Sequence, residues 1–278
     1  MIRIITDSAS DITQEEAKNL GIDVIPFTLS FGDKTFKDGI DISKNRFYEM
    51  LIEEEKLPKS SMISPGEYQE YFSRYLNDEI IYIGLSSKLS GSFNAASLVC
   101  STFPNATAVD SLNVAMGEKI LVELAIKLRD EGCSYDKIVN TLNEKKKDIR
   151  LMALLDTLEY LKKGGRISSS VAFFGKVLLI KPVIAIEDGA VEMVGKARGS
   201  KNAGNLLREL INKSGGIDFS LPYSLGYTGL SRALLDNYLD NSMDLYAVDR
   251  KDLPISIIGS TIGTHIGPNA IGIAFFKK

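Results

Sequence analysis

The chain has 278 residues, 44% of them hydrophobic and 25% charged, and carries a net charge of −3. This balance excludes a disordered chain and supplies enough apolar material for one large or two ordinary domains. The charge lacks the strong basic excess of a nucleic-acid surface, so no nucleic-acid partner is expected.

In chain order, the first run, Ile2–Thr6, is short, β-branched and read as a strand. The polar loop Asp7-Ser8-Ala9-Ser10-Asp11 follows, and Thr13 opens a helix with Glu15 and Glu16 in its first turn, where acids suit the helix dipole. Residues 22–31 (IDVIPFTLSF) form a second extended run, and Pro26 marks it as edge or irregular. The polar stretch GDKTFKDGIDIS leads to a helix through Phe47, Met50 and Leu51, and LPKSSMISPG (57–66) reads as a loop. A helix (67–76), the apolar strand IIYIGL (80–85), a helix (91–103), a strand (106–109) and helices 116–131 and 135–148 continue the pattern. Strands alternating with helices predict a parallel sheet covered on both faces.

A boundary is expected near residue 149, after Glu144-Lys145-Lys146-Lys147, which divides the chain into 1–149 and 150–278. The second part reads as strand RLMALL, short helix LEYLKKGGRIS, and helix SVAFFGKVLLI stopped by Lys181-Pro182. A hairpin turning at Asp188-Gly189 comes next. Helix 200–213, strand 222–227, helix 230–240, strand 244–248, a short helix over 256–265 and strand 270–276 close the chain. The fold class is therefore α/β, with an N-terminal three-layer parallel-sheet domain and a C-terminal mixed-sheet domain.

Cys100 and Cys133, both in helical segments, are expected as thiols of a reducing cytosol. The opening MIRIITDSASD lacks the apolar core of a secretory signal, and no uncharged apolar run reaches the roughly 18 residues of a membrane span. A soluble cytoplasmic protein is the expectation.

Polar residues gather after the strands: DSASD after the first, SSKLSGS (86–92) after IIYIGL, and DSLNVAMG (110–117) after ATAV. In a parallel sheet such loops share the carboxyl edge, where ligands bind. Each loop precedes a helix whose N–H groups suit an anion, although serine and aspartate there also serve as ordinary caps. Asp7 and Asp110 are a candidate acid–base pair or, equally, two loop acceptors. There is no GxxxxGK[ST] phosphate loop and no G-x-S-x-G elbow. One histidine, His265, cannot build the common zinc sites, so neither metal nor cofactor is expected. Around it, Gly259, Gly263 and Gly267 recur every four residues and predict a slim helix for close packing or ligand access.

Read together, TDSASDI, FGDKTFKDGIDIS, SSMISPGEY, SSKLSGSF, VDS, LEYLKKGGRIS, the Lys181-Pro182 pair, GKARGSKNA and GTHIGPNAIGIAF occur in order along nearly the whole chain. This series resembles the DegV family of bacterial lipid-binding proteins, which includes the FakB subunits of fatty acid kinase. The resemblance implies two α/β domains and a buried long-chain fatty acid. It also implies a separate ATP-binding kinase subunit that phosphorylates the bound acid for phospholipid synthesis. The protein would be a non-catalytic carrier, with room for transient contact at a membrane surface.

By motif matching, Ser60 or Ser61 and Ser90 and Ser92 would hold the carboxylate, Arg166 and His265 would sit at its entrance, and Arg198 would meet the kinase. Met62 and Ile63 stand where the family often has Gln and Pro, Asn269 where a glycine is common, and Ser92 where a threonine is usual. Met62 is expected to affect which acyl chain fits. Phe173, Phe174, Val177, Leu178 and Leu179 would line an acyl tunnel or fill a core. The rival readings are a serine/histidine-dependent acyl hydrolase or transferase, and a lipid transport or sensing protein with no kinase partner.

Overall fold

The computed structural model describes residues 1–54, 56–167 and 180–278. Strands β1 (Ile2–Asp7), β2 (Asp23–Ile25), β6 (Glu79–Gly84) and β7 (Ala106–Asp110) form a sheet in the order β2-β1-β6-β7, parallel throughout. Their inner residues, such as Ile4, Ile5, Ile80 and Ile81, are fully buried, as strands covered on both faces require. Helix α1 (Gln14–Leu20) returns the chain from β1 to β2. Thr13 caps it, with Glu16 closing a capping box. Helices α3 (Pro65–Ser73) and α4 (Ser92–Cys100) flank β6.

A mixed sheet occupies the second part: β8 (Ile149–Leu154), β9 (Ile180–Glu187), β10 (Ala190–Arg198), β11 (Tyr223–Tyr227), β12 (Ile255–Ile257) and β13 (Ile271–Phe276), in the order β10-β9-β8-β13-β11-β12. The β9–β10 turn is Asp188-Gly189 as expected, both with positive φ, which a tight hairpin turn needs. Helix α5 (Met116–Asp130) packs on β1 and β6 on one side and on β8, β11 and β13 on the other. Residues 116–122 of α5 are all buried, including Glu118 and Lys119, which a helix between two sheets demands. Thr6 donates to Glu118 at 3.0 Å, and Lys119 pairs with Glu16 at 3.0 Å. Burial pushes the Glu118 carboxyl well above its usual range, and the nearby Asp7 adds to the rise.

Several expectations need correction. Residues 22–31 are not one strand. The chain breaks at Pro26, and β3 (Thr28–Phe31) leaves for a separate antiparallel sheet with β4 (Lys34–Lys37) and β5 (Lys59–Ser61). KTFK and KSS lack the apolar alternation of a strand, and β3 makes β4 and β5 strands by main-chain pairing. Residues 244–248 are not a strand. Met243–Leu245 is a 3-10 turn, and its neighbour Tyr246 is buried with its hydroxyl 3.1 Å from that of Tyr238 on α9 (Ala233–Leu239). The strand of this region is β12, and α10 (Ser260–Ile266) begins only after it. Lys181-Pro182 does not stop a helix but lies inside β9, where the Pro182 carbonyl accepts from Leu155 N. The remainder of that expected helix, 170–179, falls outside the described residues.

Of the three glycines expected on one helix face, Gly259 and Gly267 cap α10 and only Gly263 lies inside it, where the reason for a bare backbone is packing. A side chain at Gly263 would meet Tyr48 Oη at 2.6 Å and Phe47 Cε1 at 2.7 Å, both from helix α2 (Lys44–Glu53) and both fully buried. Alanine would gain helix propensity, but two fixed rings oppose it. We expect Gly263→Ala to lower stability by about 1–3 kcal/mol in a urea melt; an unchanged midpoint would refute this packing.

Candidate functional site

Of the three polar loops at the carboxyl edge, the first proves structural. Asp7 accepts from Ala9 N at 3.0 Å, from Tyr82 Oη at 2.7 Å and from Leu85 N at 3.1 Å, and Ser8 Oγ accepts from Phe27 N. Asp110 accepts from Leu112 N at 2.9 Å and, more weakly, from Ser87 N at 3.3 Å. The two aspartates therefore brace their own loops and the start of the loop after β6, and they are not bonded to each other. Burial raises the Asp7 carboxyl to about 6, against the hydrogen bonds that lower it.

The second loop and the small antiparallel sheet open onto a cavity of about 250 Å³. Its polar rim comes from Ser60 on β5, Ser90 after β6, Arg166 after α7 (Glu159–Lys163) and His265 on α10. Its walls are apolar: Leu151 and Ala153 of β8, Ile184 and Ile186 of β9, Ile262 and Ile266 of α10. Such a pocket, apolar with a few convergent polar groups, is the usual form of a small-molecule site.

Ser60 Oγ and His265 Nε2 lie 2.9 Å apart. Ser90 Oγ donates to Ser92 Oγ at 3.0 Å, and Ser92 Oγ accepts from Ile63 N at 3.3 Å. Ser92 is fully buried and supports Ser90 rather than lining the cavity. Arg166, though exposed, donates Nε to the Leu89 carbonyl at 3.2 Å and Nη1 to the Gly164 carbonyl at 2.6 Å, which ties the α7 segment to the Ser90 loop. Ser61 is exposed, since side chains alternate along β5, and only Ser60 faces the cavity. Arg198 is exposed at the end of β10 and takes no part in the lining. Phe173, Phe174, Val177, Leu178 and Leu179 lie outside the described residues.

Burial lowers the His265 pKa to about 4, and the positive Arg166 nearby adds to the effect, so the ring is neutral near pH 7. Its Nδ1 is buried with no hydrogen-bond partner. An acyl-transfer triad needs an acid on that nitrogen to orient the ring. The space there is closed by Gly164, where a side chain would come within 2.5 Å of Nδ1. Among the described residues no cluster of histidine, cysteine, aspartate and glutamate can hold a metal ion, and no helix is long and apolar enough to cross a membrane.

Met62, already singled out by the sequence, is 50% exposed and lines the cavity; sequence reading missed Thr261, a buried polar residue of the lining. It also missed the support beneath the serines, in which Tyr68 and Tyr82 hydroxyls, 3.0 Å apart, lead to Asp7. Tyr68 lies in the polar helix sequence PGEYQEYFS and Tyr82 in the apolar strand EIIYIG, and neither context signals such a chain.

A family model described as "Uncharacterised protein, DegV family" matches residues 1–278. The chain belongs to the DegV family. A DegV domain-containing protein of Caldanaerobacter subterraneus subsp. tengcongensis is 36% identical, over 100% of this chain and 99% of its own length. Among solved structures, a DegV-family protein from Thermus thermophilus, described as binding fatty acid, superposes with a TM-score of 0.87 at 26% identity, covering 100% of this chain and 99% of its own. DegV from Bacillus subtilis, described as a fatty acid binding protein, does so with a TM-score of 0.84 at 27% identity and the same coverage. The two-part α/β architecture of this DegV chain is thus that of the family.

His265 is the only histidine, so its ring resonances report one site. We expect an NMR titration of the folded protein to give a pKa near 4, against about 6.5 for an unfolded chain. Between those values the unfolded state binds more protons, so the neutral ring's contribution to stability is complete above pH 6.5 and is lost as pH falls toward 4. The urea-midpoint difference between wild type and His265→Gln should therefore shift against the wild type on acidification; a ring titrating at 6.5 contradicts the burial described here.

Proposed function

We propose that this DegV-family protein binds a long-chain fatty acid and presents its carboxylate to a separate kinase. The observation that carries the reading is the apolar cavity whose polar rim gathers Ser60, Ser90, Arg166 and His265, in a chain whose structural relatives from Thermus thermophilus and Bacillus subtilis are described as fatty acid binders. The Ser60 hydroxyl donates to the carboxylate, and Ser90 does so by turning its proton away from Ser92 Oγ, which Ile63 N holds in place. Neutral His265 donates from Nε2 once the acid displaces its bond to Ser60. Arg166 supplies positive charge at the entrance. A buried carboxylate left without such donors would be very costly. Each methylene of the tail gains about 0.8 kcal/mol on burial, before ordering costs are deducted.

In this reading the boundary lies at residue 149. The head-group hydroxyls come from 1–149, and Arg166, His265 and much of the acyl wall come from 150–278. Arg198, exposed and away from the cavity, is the kinase contact. The acyl phosphate feeds phospholipid synthesis. The protein is a cytoplasmic carrier, not a catalyst alone.

A serine/histidine acyl hydrolase draws support from the 2.9 Å Ser60–His265 contact. The unpartnered Nδ1 favours the carrier.

Denaturing extraction of the purified protein, read by mass spectrometry, should yield intact fatty acid in about equal moles. Acyl esters should not turn over without a partner, and acyl phosphate should form only when a kinase subunit and ATP are added. Recovery of no lipid, or ester turnover abolished by His265→Ala, would reject the carrier reading; lipid without kinase co-purification would favour transport or sensing. Ser60→Ala removes one hydrogen bond to a charged group, so affinity should fall roughly tenfold to a hundredfold.

A further inference from the structure

The cavity wall beside the mixed sheet has an unusual construction. Met116, at the first turn of α5, lines the cavity and is 1% exposed. Its tip rests where β11 and β13 both lack a side chain. Gly226 and Gly272 face each other across these strands in register. A Cβ at Gly226 would meet Met116 Sδ at 2.6 Å and Ile258 Cγ1 at 2.9 Å. A Cβ at Gly272 would meet Met116 Cε at 2.6 Å, and its next neighbours only at 3.6 Å. Neither glycine needs its conformational freedom, because neither has a positive φ. Their lack of a side chain makes a slot, and the thioether fills it.

We infer that Met116 sets the acyl chain length this protein accepts, by plugging a slot on the face of the paired strands β11 and β13 that would otherwise extend the cavity. This rests on the fatty acid reading above. The chemistry suits the task. Methionine is unbranched, has several rotatable bonds and fills irregular gaps. Truncating it leaves a void that the surrounding strands close only in part. The paired glycines make the effect reversible in sign. Met116 has no exit to solvent, so a methyl group added at Gly272 displaces the thioether toward the ligand. Ala153, which lines the cavity, is 3.6 Å from that added carbon, so the slot and the acyl wall are continuous.

The test compares the affinities of myristic, palmitic, stearic and arachidic acids for delipidated wild type, Met116→Ala and Gly272→Ala, together with the chain-length profile of lipid carried from expression. Met116→Ala should move the preferred acid longer by about two carbons. The affinity ratio for that longer acid over the wild-type optimum should rise on the order of tenfold, the value of two buried methylenes. Gly272→Ala should move the preference the other way. A general loss of stability would weaken all four acids together and leave their ranking alone. An unchanged ranking in a folded Met116→Ala protein overturns the inference. Should that variant fail to fold, an unchanged ranking in Gly272→Ala overturns it equally. Wild type that binds none of the acids rejects the fatty acid reading itself, and this inference with it, a result distinct from binding without a shift.

Discussion

Helix α5 must satisfy two sheets at once, and the rest of the structure follows from that constraint. The parallel sheet meets one side through β1 and β6, and the mixed sheet meets the other through β8, β11 and β13. A single layer of side chains therefore decides how closely the sheets approach. Where they are held apart beside the start of α5, the cavity remains, and Val114, Ala115 and Met116 form part of its wall. The polar rim sits where the β6 loop, β5, the α7 segment and α10 converge. The same helix buries Glu118 without a full set of partners, since its Oε2 is unbonded, and this accompanies the strong rise in its pKa.

Much of this was legible in the residues because burial leaves a pattern. The parallel strands are short β-branched runs, α1 carries its capping box in TQEE, and the Asp188-Gly189 turn announces a hairpin. What failed lacks a local pattern. β5 is Lys59-Ser60-Ser61, three polar residues made a strand only by the pairing of β3, which is distant in sequence from it. Tyr246 lies in an apolar run yet packs from a turn, and apolarity alone does not separate a strand from a turn folded under a helix.

The site divides in the same way. Serine-rich loops were visible, but which hydroxyl faces the cavity depends on strand phase, and this puts Ser60 inward and Ser61 outward. Ser92 proved to be a supporter of Ser90 rather than part of the lining, because it opens α4 and its oxygen is taken by Ile63 N. Of the glycine triplet around His265, Gly259 and Gly267 cap the helix and only Gly263 lies within it. Its meaning came only from the facing rings of Phe47 and Tyr48, residues no spacing rule connects to it.

Helix α10 belongs to the end of the chain but is sewn into its beginning. Asp11 accepts from Gly259 N at 2.6 Å, Asp38 from Thr261 Oγ1 at 2.6 Å, and Tyr48 donates to the Ile258 carbonyl at 2.9 Å. Lys44 donates to the Asp11 and Ile257 carbonyls. Spreading the two halves like a clamshell would rupture the bonds between them together, at about 0.5–1.5 kcal/mol for each one exchanged for water and more where a charged group takes part. A molecule entering the cavity would therefore slip between a few side chains at its mouth, as through a doorway, rather than through an opened jaw.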